Sequence, residues 1–418
     1  MAGEDQTHPS GDKPIARIWA HRNFTIYMAG SVPCTITQWM QRVGVGWLTW
    51  ELTESPVWLG AVAAADLAPM LLIGPIAGAY TDRGDPVRQL CVTQWLLLAQ
   101  ALGLALMTQF GLINIYGLFG MSLMTGVINP LFSTARQSLL PNTVTRRYIS
   151  TAIALDSALF QLTRFIGPAF ASITIPLWGV GGTFMAHTLG TLSFLVAIYL
   201  MKVEPPQRAP GQRRSIWSEI GESFTYVRTH KGIWPAFLLL TVASVVIRPV
   251  QDMLPGFAGD VFHSDAVGLA YLTSSMGVGA MASAALVAFR GRISGLTRHA
   301  VMGALGVSIS ILGFVITDRL WFGVLFSAAI GFTLNTMSTS ISALVQSAVH
   351  DSMRGRVVAL YALIFRGTPA VGSLVVGLAS EFVSLRWAFA GSALISFIAW
   401  LVVLPRRRDI AAALEVER

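Results

Sequence analysis

The sequence predicts an all-α membrane protein in which twelve transmembrane helices form two pseudo-symmetric six-helix bundles. Three observations lead there. Of 418 residues, 54% belong to the set AVILMFWYC and only 12% are charged, with a mean hydropathy of +0.61, whereas soluble domains run near 25% charged. Apolar runs of about 20 residues, the length a helix needs to cross a bilayer, recur along the chain. They fall in two sets of six, separated by one polar stretch.

Residues 1–23 are polar, contain Pro9 and Pro14, and lack the apolar core of a cleavable signal, so they read as a cytoplasmic segment. Apolar runs follow at 24–50, 56–80, 89–109, 112–138, 149–175 and 183–202, which make an amino-terminal bundle over 24–202. They resume at 233–256, 266–289, 298–316, 321–347, 357–380 and 386–404, a carboxy-terminal bundle over 233–404 with a cytoplasmic tail at 405–418. Polarity at every second position, the mark of a membrane barrel strand, is absent from these runs. The connection 203–232 opens with EPPQRAPGQRR and then places Ile216, Trp217, Ile220, Phe224 and Val227 at helical spacing. That pattern predicts a linker with an amphipathic helix lying on the inner membrane surface.

Charge orients the chain. With the amino terminus inside, inward-facing segments hold 23 of the 29 basic residues, outward ones hold Arg319 and Arg386, and four lie within spans. The bias of Lys and Arg in short loops then places both termini in the cytoplasm and the protein in the inner (plasma) membrane. The net charge of +8 is scattered in short clusters and forms no basic face, which argues against nucleic acid. Cys34 and Cys91 both lie in apolar runs and make no metal or redox motif. No phosphate-binding G-x-x-x-x-G-K-[ST] sequence occurs, so an ion gradient or the substrate's own gradient must supply energy. A membrane enzyme would need a nucleophile with a base, or a metal cluster, yet His187 is the one histidine well inside a span. No catalytic role, cofactor or metal is expected.

A shift of 205 residues lays Val144 on Val349, Ala154 on Ala359, Leu155 on Leu360, Phe160 on Phe365, Thr163 on Thr368 and Gly167 on Gly372. With the equal span counts this points to duplication. Two like halves place a substrate between them near the midplane, the logic of alternating access.

Seven charges lie within spans, where each costs on the order of 3 kcal/mol at the bilayer centre unless it meets a partner or a water-filled cavity. Arg42 and Asp66 match in depth across adjacent spans, either as a structural clamp or as a coupling site in which Asp66 takes a proton. Arg248 and Asp252 are four apart and share a helix face, with a local surface pair as the plain reading. Asp156 and Arg164, with Gln161 between them, are expected along one wall of a cavity. Arg366 has no acidic residue in its own span and is a candidate for an anionic substrate group. Candidate proton-coupling residues are therefore Asp66, Asp156 and Asp252, and candidate substrate-binding residues are Arg42, Gln161, Arg164, Arg248 and Arg366.

The segment from Gly78 to Arg88, GAYTDRGDPVR, resembles the G-x-x-x-D-R-x-x-R-R-R signature of the major facilitator superfamily, in which Gly78, Asp82, Arg83 and Arg88 match while Pro86 and Val87 replace basic residues. WMQRV at 39–43, ARQSLLP at 135–141, ALDSALF at 154–160, RFIGPA at 164–169, MLPGFA at 253–258 and RGRVVALY at 354–361 are similar to the enterobactin exporter family and its drug:proton antiporter relatives. The resemblance implies a secondary transporter. It implies that Asp82 meets the amino-terminal end of span eleven, where the helix dipole favours an anion, with Arg83 and Arg88 anchoring the loop. Gly167 and Pro168 resemble part of the antiporter motif of span five, with Ala171 and Ser172 in place of its final glycines. The expectation is a monomeric proton-coupled exporter of a small amphipathic molecule, of drug or siderophore class. A lipid or lysolipid flippase on the same fold is the alternative.

Overall fold

The computed structural model describes residues 17–202, 216–290, 294–349 and 351–415. Among these every regular element is a helix. In chain order they are α1 (Arg22–Thr53), α2 (Pro56–Arg83), α3 (Pro86–Gln109), α4 (Ile115–Leu139), α5 (Ile149–Leu200), α6 (Ile216–Thr229) and α7 (Ile233–Val242). After them come α8 (Val250–Gly256), α9 (Ala266–Arg290), α10 (Leu296–Ile316), α11 (Leu320–Ala348), α12 (Asp351–Val403) and α13 (Arg407–Leu414). Nine segments among the described residues are long and apolar enough to cross a membrane.

Two helices are of double length because the chain reverses inside them. Gly179 in α5 has φ 68°, a conformation open to glycine. Before it, α5 runs parallel to α1, with Asp156 beside Tyr27 and Gly167 against Trp39. After it, α5 runs antiparallel, with Gly190 against Pro33 and Gly30 against Ala197. Ser384 in α12, with φ 70°, makes the corresponding turn in the second half. Ser373 precedes it beside Asp252, and Leu385 and Phe389 follow it against Gly256 and Phe257.

Local chemistry sets the boundaries between helices. Asp85 accepts from the backbone N–H groups of Val87 (2.8 Å) and Arg88 (3.4 Å), and Pro86 occupies the first turn of α3. Asn114 caps α4 in the same way through the Gly117 N–H at 2.8 Å. The signature segment expected as a loop is therefore helical through Arg83, and only Gly84 and Asp85 separate α2 from α3.

Between α7 and α9 the helix widens into π-helical turns at Ala243–Ile247 and Phe257–Val261. The Arg248 N–H reaches back five residues to the Ala243 carbonyl, and the Asp252 N–H only three, to Pro249. The π-turn shifts both residues together, while the three-residue turns between them rotate Arg248 and Asp252 out of the shared face that a spacing of four would give in a regular helix.

The described ends and α6 lie on one side, here the linker side. There Glu415 accepts from the N–H groups of Gly295 (2.7 Å) and Thr297 (2.8 Å) at the start of α10. Leu414 is buried near Gly232. In α6, Val227 is buried, Phe224 packs edge-on against Trp234, and Glu222 pairs with Arg356 at 2.6 Å. The side chains of Ile216, Trp217 and Ile220, the EPPQRAPGQRR segment and residues 1–16 lie outside the described residues.

The halves meet on the opposite, far side. Met40, Val43, Leu59 and Ala171 of the first half join one continuous core with Val250, Leu254, Phe257 and Leu385 of the second. Glycines bring the backbones together. A Cβ at Gly60 would collide with the Ser373 carbonyl, one at Gly377 would lie 2.7 Å from the Pro56 carbonyl, and one at Gly259 would strike the Trp50 ring. On the linker side the first half closes a separate core around Phe24, Tyr27, Leu139 and Phe194, all drawn from residues 18–201. Gly78 and Gly355 have open space where a Cβ would sit. The far side is thus the closed one.

Candidate functional site

Beneath the far-side closure, Arg42 of α1 is held by two carboxylates. Its Nη2 donates to Asp252 Oδ1 at 2.9 Å, and its Nη1 lies 3.8 Å from Asp66 Oδ2. Asp66 belongs to α2 and Asp252 to α8, so one guanidinium ties the first half to the second. The hydroxyl of Ser373 in α12 donates to the other oxygen of Asp252 at 2.7 Å. Exposure separates the carboxylates, with 28% of the Asp66 side chain open against 8% for Asp252. Asp252 is gripped from two sides and Asp66 from one.

The Arg42–Asp66 proximity follows the depth argument. The local Arg248–Asp252 pair does not form, because the three-residue turns that begin at Arg248 and Pro249 offset the two side chains and Asp252 turns to Arg42 and Ser373. Arg248 instead lies over the ring of Phe365 of α12, 4.1 Å from its centroid. Arg164 of α5 lies over Trp39 of α1 at 5.2 Å, and Arg42 approaches the same indole at 5.8 Å. Both halves therefore set an arginine on an aromatic ring, and Phe160, which the repeat places on Phe365, packs edge-on against Trp39. Arg164 and Arg248 line one cavity with Gln251, Thr273, Asn335 and Phe365.

Asp156 does not share that wall. It accepts from Arg136 Nη2 of α4 at 2.7 Å and from the Tyr27 hydroxyl at 3.2 Å, while Arg136 Nε donates to the Tyr27 oxygen at 2.7 Å. This triad binds α1, α4 and α5 toward the linker side. Asp156 finds its base on a neighbouring helix, two turns of α5 away from Arg164. Gln161 is half-buried, without a hydrogen bond among the described residues, and lies outside the cavity lining. Arg366 is exposed, makes no ion pair among the described residues, and also lies outside that lining.

Of the signature residues, Arg83 and Arg88 are exposed and the side chain of Asp82 lies outside the described residues. Gly167 and Pro168 are buried, and Gly167 lets α5 press against Ile36 and Trp39 of α1. His187 is buried between Thr37 (3.3 Å) and Thr191 (3.4 Å) within the first half. Among the described residues no group of three His, Cys, Asp or Glu side chains could hold a metal. Ser373 gives no signal in the sequence, since one serine in an apolar span is unremarkable there. The depth of Asp252 was hidden too: its apolar run ends at 256, whereas α8 and its π-helical extension run to Val261, which puts Asp252 at the depth of Arg42.

The chain matches the family described as transmembrane secretion effector over residues 16–415. It is 20% identical to macrolide efflux protein A of Streptococcus pyogenes over 398 residues, 94% of this chain and 97% of that one. It is 22% identical to the staphyloferrin A transporter of Staphylococcus aureus, across 87% of this chain and 91% of the other. In fold it resembles a bacterial homolog of the human lysosomal transporter Spinster, solved inward-facing and unoccupied, with a TM-score of 0.69 at 13% identity over 98% of this chain and 100% of that one. The protein is a multi-pass membrane transporter rather than an enzyme, and it belongs to the transmembrane secretion effector family of the major facilitator superfamily.

Proposed function

We propose that the chain exports a small amphipathic molecule, of drug or siderophore class, across the plasma membrane by proton-coupled alternating access, with both termini in the cytoplasm. Twelve spans in two six-helix bundles follow when α5 and α12 are each divided at their reversals and the 32-residue α1 is added to the nine apolar segments. The observation that carries the reading is the sharing of Arg42 between Asp66 and Asp252. A carboxylate near a guanidinium in a poorly hydrated cavity is pulled both ways, by desolvation toward the neutral form and by the cation toward the charged one. Asp66, held at 3.8 Å and more open, exchanges the coupling proton, while Asp252 latches the far side. Protonation of Asp66 leaves Arg42 to Asp252 alone, and protonation of Asp252 would release the halves. Efflux of a macrolide by one relative and transport of staphyloferrin A by another support the export of small amphipathic compounds. Asp82, Arg83 and Arg88 act at the linker side as the opposing gate, and Gly167 and Pro168 let α5 move against α1.

The test follows proton release from energised inverted vesicles during addition of catecholate siderophores, lipophilic cations and macrolides. Proton movement on adding one class, absent from vesicles without the protein, is expected. Silence across the panel with folded protein present would refute the reading.

A further inference from the structure

We propose that the cavity between the halves contains an anion subsite formed by Arg164 and Arg248, so that the transported molecule carries a carboxylate or phosphate on an aromatic or apolar body. The export reading above supplies the fate of the bound molecule, while binding itself does not depend on it.

Around the cavity and the closure above it stand three guanidinium groups, Arg42, Arg164 and Arg248, against two carboxylates, Asp66 and Asp252. Both carboxylates are committed to Arg42, and the second oxygen of Asp252 accepts from Ser373. Arg164 and Arg248 have neither an ion pair nor a side-chain hydrogen bond among the described residues, and Arg248 Nε is buried without a partner. An arginine does not relieve such a position by losing its proton. It needs a counter-ion, and the described residues offer none beside these two.

Ring contacts do not replace that counter-ion. The guanidinium carbons lie 5.2 Å and 4.1 Å from the ring centroids of Trp39 and Phe365, and among the described residues the N–H groups, the fork that matches carboxylate and phosphate oxygens, have no side-chain acceptor. The remaining walls suit an apolar body. Met276 and Leu334 line the cavity, and Phe365 is stacked on Tyr361 with centroids 5.7 Å apart and planes 16° from parallel. Arg164 comes from the first half and Arg248 from the second, so an anion bridging them would sense both halves at once.

The experiment measures equilibrium binding to the purified full-length chain of three probes that share one ring system: 1-naphthylacetate, the neutral 1-naphthaleneethanol and the cationic 1-naphthylethylammonium. Hydrogen bonds to charged groups set the expectation that the acetate binds at least about tenfold more tightly than the alcohol, with the ammonium weakest. Arg164→Gln and Arg248→Gln should each bring the acetate-to-alcohol ratio close to unity, and Arg248→Lys should retain part of it. Equal binding of the three by the wild type, including none at all, would overturn the proposal, as would tightest binding of the ammonium. Should a glutamine variant not fold, the wild-type ratio still decides. Proton-linked flux with a ratio of one would remove the subsite and spare the export reading; a high ratio without such flux would do the reverse.

Discussion

Replacing Asp252 by Asn removes the charge that holds Arg42 across the interface while preserving side-chain shape. In the native chain that charge accepts a hydrogen bond of 2.9 Å on a side chain only 8% exposed, so solvent screens it little. Bonds to charged groups are worth roughly 1.5–3 kcal/mol net. Weakening the closed far side by about 2 kcal/mol multiplies the far-side-open population by about thirtyfold, at 1.4 kcal/mol per decade. Spin labels at Glu51→Cys and Glu381→Cys, both exposed at far-side ends of opposite halves, report that opening by pulsed electron resonance once Cys34 and Cys91 are replaced by Ser. Asp252→Asn should transfer population to longer distances. Asp66→Asn, which removes only the 3.8 Å ion pair, should transfer less. An unchanged distribution in Asp252→Asn would refute the assignment of this pair as the closure.

Other consequences follow from the packing. Gly60→Val drives a side chain into the Ser373 carbonyl and should open the same label pair, whereas Gly78→Ala, which meets nothing within 4 Å, should leave the distances unchanged. Asp156→Asn strands the guanidinium of Arg136, whose side chain is 16% exposed, and should cost about 3 kcal/mol. Thermal unfolding of that variant and of the Asp156→Asn/Arg136→Gln double variant checks this, with part of the stability recovered in the double. Glu415→Ala removes the cap on α10 at a cost of about 1 kcal/mol, read as faster amide exchange at Gly295 and Thr297 with little change elsewhere.

The helices were legible because hydrophobic runs of bilayer length need no tertiary information. Their ends were less so. Residues 257–261 continue the helix as a π-turn, and an apolar run broken at Gly256 hides that extension and the depth of Asp252 with it. The Arg42–Asp66 relation was readable from depth alone, since adjacent antiparallel spans align residues equally far from their shared turn. Partners from non-adjacent helices were not readable: Asp252 with Arg42, Asp156 with Arg136 and Tyr27, and the stacking of Arg164 on Trp39 all depend on which helices pack together. The reversal at Gly179 follows glycine chemistry, while the one at Ser384 is carried by a residue that gives no such cue. Asp85, at a position the signature leaves unspecified, serves as a helix cap.

Asp66 is the carboxylate proposed to exchange the coupling proton. In proteoliposomes loaded with a transported compound, wild type should show both substrate exchange at equal pH and net accumulation driven by a pH gradient. Asp66→Asn should retain the exchange and lose the gradient-driven accumulation. Accumulation at the wild-type level in that variant would contradict the account and move the proton to another carboxylate.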